Sequence, residues 1–212
     1  MMQNETTNSL PVKTARAVSL IFNPLFLPIY GLLIVLFAPT LFWYLPFKVK
    51  EILFFIYLIN NLLIPVSLIP FFRYRHIISS IVIENRRERV IPLITVSFLY
   101  SVTSFIMFRL QIPVFLKAYS YALTILAVTL LVINLKWKIS LHSAGAGALT
   151  ALVLVLSLKM SSGLPFLMIF SILISGIILS SRLRLNTHGP SEVYTGFITG
   201  FAVLAACILL FQ

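Results

Sequence analysis

Seven stretches of this chain are apolar enough, and long enough or nearly so, to cross a bilayer, which takes about 20 consecutive residues. They run from about Leu20 to Leu45, Ile52 to Phe72, Ile91 to Phe108, Pro113 to Leu135, Ile139 to Leu158, Pro165 to Ser180 and Pro190 to Leu210. Lipid offers no partner for a bare peptide group, so a spanning segment must satisfy its own backbone. No strand-like alternation is sustained and no internal repeat is visible, so the expected fold class is all-α, a polytopic transmembrane helical bundle of six to seven spans. The count depends on the first stretch. Pro24, Pro28 and Pro39 interrupt it, so it either kinks or turns back on itself. Charged residues make up 10% of the 212, against about 25% in a soluble domain. A polar tail over residues 1–18 is expected to lead into a single transmembrane domain over 19–212. The first apolar stretch lacks a small-residue cleavage site and reads as a retained span rather than a removed signal peptide.

The formal charge is +11, with five glutamates and no aspartate. In a soluble protein that balance would suggest nucleic acid. Here it points to anionic lipid head groups or an anionic substrate, with no nucleic-acid partner. The single cysteine, Cys207, excludes an intrachain disulfide and a cysteine-cluster metal site. With seven crossings, the connections after the second, fourth and sixth share a face with the N-terminus. That face carries 11 of the 16 Lys and Arg residues, including Arg86, Arg87, Arg89, Lys136, Lys138, Arg182 and Arg184, and all three histidines, His76, His142 and His188. Reactive groups can therefore converge at one surface.

The segment from Ser181 to Gly196 concentrates that chemistry. Arg182 ends the sixth span, His188 lies in the connection, Pro190 can open the seventh helix, and Glu192 falls in its first turn. A helix N-terminus attracts anions through its free N–H groups. An arginine grips phosphate with paired donors, and a carboxylate can fix a histidine tautomer for nucleophilic attack. Each residue also has a plainer use. Arg182 and Arg184 fit as snorkelling side chains, and Glu192 complements a helix dipole. His76 reads as an interfacial side chain, and Glu84 and Glu88 as partners of the adjacent arginines. Asn60 and Asn61 read as glue between helices.

Ser181, Arg182, His188, Glu192 and Gly196 resemble the third signature of the type-2 phosphatidic acid phosphatase superfamily, Ser-Arg-x5-His-x4-Asp-x3-Gly. Glu192 stands in register where that pattern has Asp. The second signature, Pro-Ser-Gly-His, is met by Ser140 and His142 within Ile139-Ser140-Leu141-His142. Ser143, Ala144, Gly147 and Ala148 just beyond also suit close helix packing. The first signature, Lys-x6-Arg-Pro, is missing from its usual place just before the second, where Asn134 to Lys138 offers Lys136 and Lys138 but no Arg-Pro. Its nearest substitute is the segment from Glu84 to Pro92, where Arg86 and Arg89 lie three residues apart. The resemblance thus covers residues 139–196.

The resemblance implies a membrane-embedded lipid phosphate phosphatase needing no cofactor and no metal. His188 would be the nucleophile, Glu192 would orient it, and His142 would protonate the leaving oxygen. Arg182, Ser140, Ser181 and Arg86 or Arg89 would hold phosphoryl oxygens. The implied substrate is a phospholipid or isoprenoid phosphate among membrane lipids: a polyprenyl diphosphate, a phosphatidate or phosphatidylglycerophosphate, or a lipid A phosphate. A non-catalytic lipid-phosphate binder or transporter, or a lipid phosphotransferase, is the alternative on the same scaffold, and homo-oligomerisation stays open. The implied location is a bacterial inner membrane. The charge count puts the histidine face inside, whereas likeness to bacterial family members puts it outside.

Overall fold

The computed structural model describes residues 10–80, 83, 85–160 and 163–211. Among these it contains eight helices: α1 (Leu10–Ile21), α2 (Leu27–Phe37), α3 (Phe47–Tyr74), α4 (Val90–Arg109), α5 (Val114–Lys136), α6 (Leu141–Lys159), α7 (Pro165–Arg184) and α8 (Pro190–Leu210). A short 3-10 turn, Arg87–Arg89, leads into α4. The helices α3 to α8 are each long and apolar enough to cross a membrane. The chain is an all-α polytopic bundle with the character of an integral membrane protein.

The first apolar stretch does not become a seventh long helix. It gives α2, whose 11 residues reach only about 16 Å at 1.5 Å per residue, short of a hydrocarbon core about 30 Å thick. Yet the stretch still runs from one end of the bundle to the other. Ser19 touches His142 and Arg182 at one end, while Phe37, Ala38 and Pro39 border Gly163 and Pro165 at the other. A short helix suffices because α2 is enclosed by protein: Leu32, Val35 and Leu36 are fully buried. Pro28 sits at its start, where a missing N–H costs nothing. The end of α1 at Ser19 therefore lies at the histidine end. Residues 10–18 of the expected polar tail belong to α1.

The centre of the bundle is α6, covered by α8, α7 and α2. Its stripe of small residues allows this. Gly147 meets the Phe197 carbonyl, Gly200 on α8 meets the backbone of Ala144, and a Cβ at Gly196 would lie 2.7 Å from the Ser140 carbonyl. The packing surface expected from Ser143, Ala144, Gly147 and Ala148 is thus real, and it sets α6 and α8 side by side with their first turns level. On the other flank, α4 pairs with α5 and abuts α3.

A π-helical turn at Leu58–Leu63 interrupts α3, with the Ile64 N–H donating to the Ile59 carbonyl five residues back. Pro65 follows and has no N–H to offer the Asn61 carbonyl, so an ordinary α-turn cannot close there. The wider turn presents Asn61 inward, where its Oδ1 accepts from the Thr103 hydroxyl at 2.7 Å. That is the helix-joining role expected of it.

Candidate active site at the histidine end

The site is built on the first turns of α6 and α8. Pro190 occupies the start of α8, and Gly189 before it is extended. Glu192, two residues on, shares a helical face with His188 just outside the helix, and the His188 Nδ1 lies 2.6 Å from Glu192 Oε2. Such a length belongs to a charge-assisted bond. The ionised carboxylate only accepts, so Nδ1 carries the proton and the lone pair of the neutral ring is at Nε2. His188 is buried, with 6% of its surface accessible.

The start of α6 is tied to the same place. Ser140 caps the helix, its Oγ accepting from the Ser143 N–H at 3.4 Å and from the Ser143 hydroxyl at 2.9 Å. The Ser140 N–H donates to the Glu192 carbonyl at 3.3 Å, fixing one first turn against the other. Two residues later His142 lies within electrostatic reach of Arg182, His188 and Arg89. Its Nε2 is 3.0 Å from the Ser19 carbonyl. A carbonyl can only accept, so that nitrogen carries the proton.

Three cations act electrostatically on His188. Arg182, on the last turn of α7, is buried, and its guanidinium donates to the Ser19 hydroxyl at 3.2 Å. Arg89 is also buried. Its Nε donates to the Ile83 carbonyl at 2.8 Å and its guanidinium to the Ile139 carbonyl at 3.3 Å, just before Ser140. The Lys138 ammonium donates to the Thr187 carbonyl at 2.8 Å, one residue before His188. Burial pushes the His188 pKa down from 6.5 to about 4, and the charges of Arg89, Arg182 and Lys138 reinforce this against the opposing bond to Glu192. The imidazole is therefore neutral at neutral pH, with its Nε2 lone pair available.

The structure brings together His188, His142, Glu192, Arg182, Arg89 and Ser140 but gives two expected site residues other work. The Arg86 guanidinium donates to the Asn134 and Leu135 carbonyls at the end of α5, and the Asn134 side chain returns a bond to the Arg86 carbonyl at 3.0 Å. Arg86 thus satisfies carbonyls at a helix C-terminus. The Ser181 hydroxyl donates to the Ile177 carbonyl at 2.7 Å, within its own helix. Glu88 also departs from expectation, because its carboxylate accepts from the Ser79 N–H and hydroxyl at 2.7 and 2.9 Å rather than from an adjacent arginine. Glu84 lies outside the described residues. His76 is exposed at a left-handed turn with φ 56°, away from the cluster.

Sequence reasoning missed Ser19 and Thr187. The Thr187 hydroxyl is buried beside His188 without a hydrogen-bond partner, and only its place next to the histidine could have drawn notice. Ser19 gave no signal at all, because its partners are more than 120 residues away in sequence. Among the described residues no three His, Cys, Asp or Glu side chains gather as ligands for a metal ion. No known protein family, curated protein or solved structure matches this chain.

Proposed function

We propose that this protein is a membrane-embedded phosphatase acting on a lipid phosphate or diphosphate through a phosphohistidine, in the manner of the type-2 phosphatidic acid phosphatases its motifs resemble. The observation that carries the reading is the 2.6 Å bond from His188 Nδ1 to Glu192, with the charges of Arg89, Arg182 and Lys138 acting on the same imidazole. That arrangement supplies a neutral nucleophilic nitrogen and a place for phosphoryl charge together.

The chemistry follows from those roles. Arg182 and Arg89 draw the phosphoryl oxygens towards the N-terminus of α8. His188 Nε2 forms a bond to phosphorus while the bond from phosphorus to the leaving oxygen breaks. Glu192 stabilises the positive charge that develops on the ring. His142 acts as the general acid that gives a proton to the leaving oxygen. Water then attacks the phosphohistidine, His142 takes up the proton, and inorganic phosphate leaves with His188 restored. Positioning and charge stabilisation supply most of the acceleration in phosphoryl transfer. A site at one end of a helical bundle also suits a lipid substrate, since the head group can reach the cations while the tail stays in the bilayer.

The reading includes a bacterial cytoplasmic membrane with the site on its outer face. Removing Arg86, Arg89, Arg182 and Lys138 from the count as structural or catalytic leaves 7 positive charges against 5, too small a bias to fix orientation. Labelling single cysteines placed near Thr187, at exposed Arg184, and at Lys48 in intact cells, with Cys207→Ala, tests this, with reaction of an impermeant reagent at position 184 alone as the expected result. The function itself is tested by phosphate release from purified protein with phosphatidate, a polyprenyl diphosphate or a lipid A phosphate. Vanadate-sensitive release is expected. Tight lipid binding without release would make the chain a binder, and transfer only to an added lipid acceptor would make it a phosphotransferase.

A further inference from the structure

Ser19 holds two groups of the site at once. Its carbonyl accepts the proton on His142 Nε2 at 3.0 Å, and its hydroxyl accepts from the Arg182 guanidinium at 3.2 Å. In the reaction above, the first position belongs to the leaving oxygen and the second to a phosphoryl oxygen. A bound substrate needs both. We propose that helix α1 is a built-in stand-in for substrate, seated on the site through Ser19 and displaced when a phosphate-like anion binds. The proposal rests on reading the site as one for phosphate.

The attachment of α1 suits a segment that comes and goes. It packs mainly on α7, and Ala15 is its only buried residue. Lys13, Arg16, Leu10, Leu20 and Ile21 are exposed. A helix of 12 residues has little stability of its own in water, but basic and apolar side chains together favour a lipid surface, which gives α1 a place to go when it leaves. The hinge is short. Residues 22–26 form turns, with the Leu25 N–H bonded to Asn23 Oδ1 at 3.0 Å, and Leu27 to Ile29 beyond are held in the core. Motion that stops at Leu27 must break the bond from the Tyr30 hydroxyl to the Ile21 carbonyl at 2.9 Å but leaves the buried residues of α2 in place.

The test uses the full chain in lipid nanodiscs, with Cys207→Ala and Ala15→Cys, and orthovanadate as the anion. Ala15 faces inward, so maleimide labelling of the new thiol reports α1 leaving its seat. The expected labelling rate rises about tenfold at saturating vanadate, as a tenfold increase in the displaced population requires. Ser19→Ala, which removes one of the two competing contacts, is expected to bind vanadate about 2- to 10-fold more tightly, whereas a merely structural Ser19 would leave affinity unchanged or weaken it. Faster labelling in nanodiscs containing phosphatidate identifies a lipid head group as the displacing ligand; a response to vanadate alone identifies a free phosphate. Vanadate bound by calorimetry with labelling and Ser19→Ala affinity unchanged overturns the displacement of α1 and spares the phosphate site. No vanadate binding in either the wild type or Ser19→Ala overturns both.

Discussion

At the end of the bundle away from His188, five cations are each settled locally; at the His188 end, three that also donate to nearby oxygens act together on a single imidazole. Lys48 pairs with Glu51 at 3.0 Å, and Lys117 and Lys159 donate to the Phe108 and Phe211 carbonyls. Arg109 lies over the Phe105 ring. Lys50, though buried, donates to the Trp43 carbonyl at 2.8 Å and sits over the Phe37 and Trp43 rings. These are local settlements of the cost of placing charge near lipid. Around His188 the charges of Arg89, Arg182 and Lys138 act together on a ring that is bonded to Glu192. The combined action of these three charges on one neutral imidazole suits an anionic phosphoryl group. The plain reading of snorkelling side chains fits the first end and does not account for the second.

The contrast can be broken most severely at His188. His188→Ala is expected to lower phosphate release by on the order of 10⁴-fold or more, down to background, measured with detergent-purified protein on a lipid phosphate. Arg182→Ala or Arg89→Ala should each lower kcat/KM by about 10²- to 10³-fold, as loss of one charge-stabilising donor does. Arg86→Ala should cost less than about tenfold, because its guanidinium caps α5; equal losses at Arg86 and Arg89 would refute that division. Glu192→Gln can present an N–H to Nδ1, favouring the wrong tautomer, and an expected loss of about 10²-fold would appear in kcat.

The pH profile sharpens the contrast more gently. His188 stays neutral until pH falls to about 4, so its acid limb in kcat/KM lies near there and not at 6.5, and the contribution of this group is kept between pH 7 and 5 and lost below. Lys138→Met removes one of the three cations and should move that limb upward. The smallest effect belongs to the far end: Lys50→Met should leave turnover unchanged and cost only about 1 kcal/mol of stability, read from the thermal melt.

Much of the frame could be read from periodicity and length alone, because apolar runs of about 20 residues have few alternatives in lipid. The first stretch was ambiguous for a physical reason. Hydropathy reports burial away from water and does not distinguish lipid from protein, so α2 carried the signal of a span without the length of one. The pairing of His188 with Glu192 was legible because it is local, four residues apart across a helix start. The packing stripe on α6 was legible in Ser143, Ala144, Gly147 and Ala148, but not that α8 is the helix it receives. What stayed hidden was set by tertiary packing. Arg86 and Arg89 look equivalent in sequence, yet one turn of 3-10 helix sends the first to α5 and the second to Ile139. Ser19 could not be found from any pattern, since its role depends on α1 folding back over residues far along the chain.

The most direct measurement is a trap for the covalent intermediate. Purified protein would be mixed briefly with a lipid phosphate carrying radioactive phosphorus, quenched in alkali and examined for label on the chain. The expected result is label that survives alkali, is lost in mild acid as a phosphorus–nitrogen bond should be, and is absent from His188→Ala while present in Arg86→Ala. Undiminished phosphate release by His188→Ala, or label that remains on that variant, would contradict the assignment of His188 as the nucleophile.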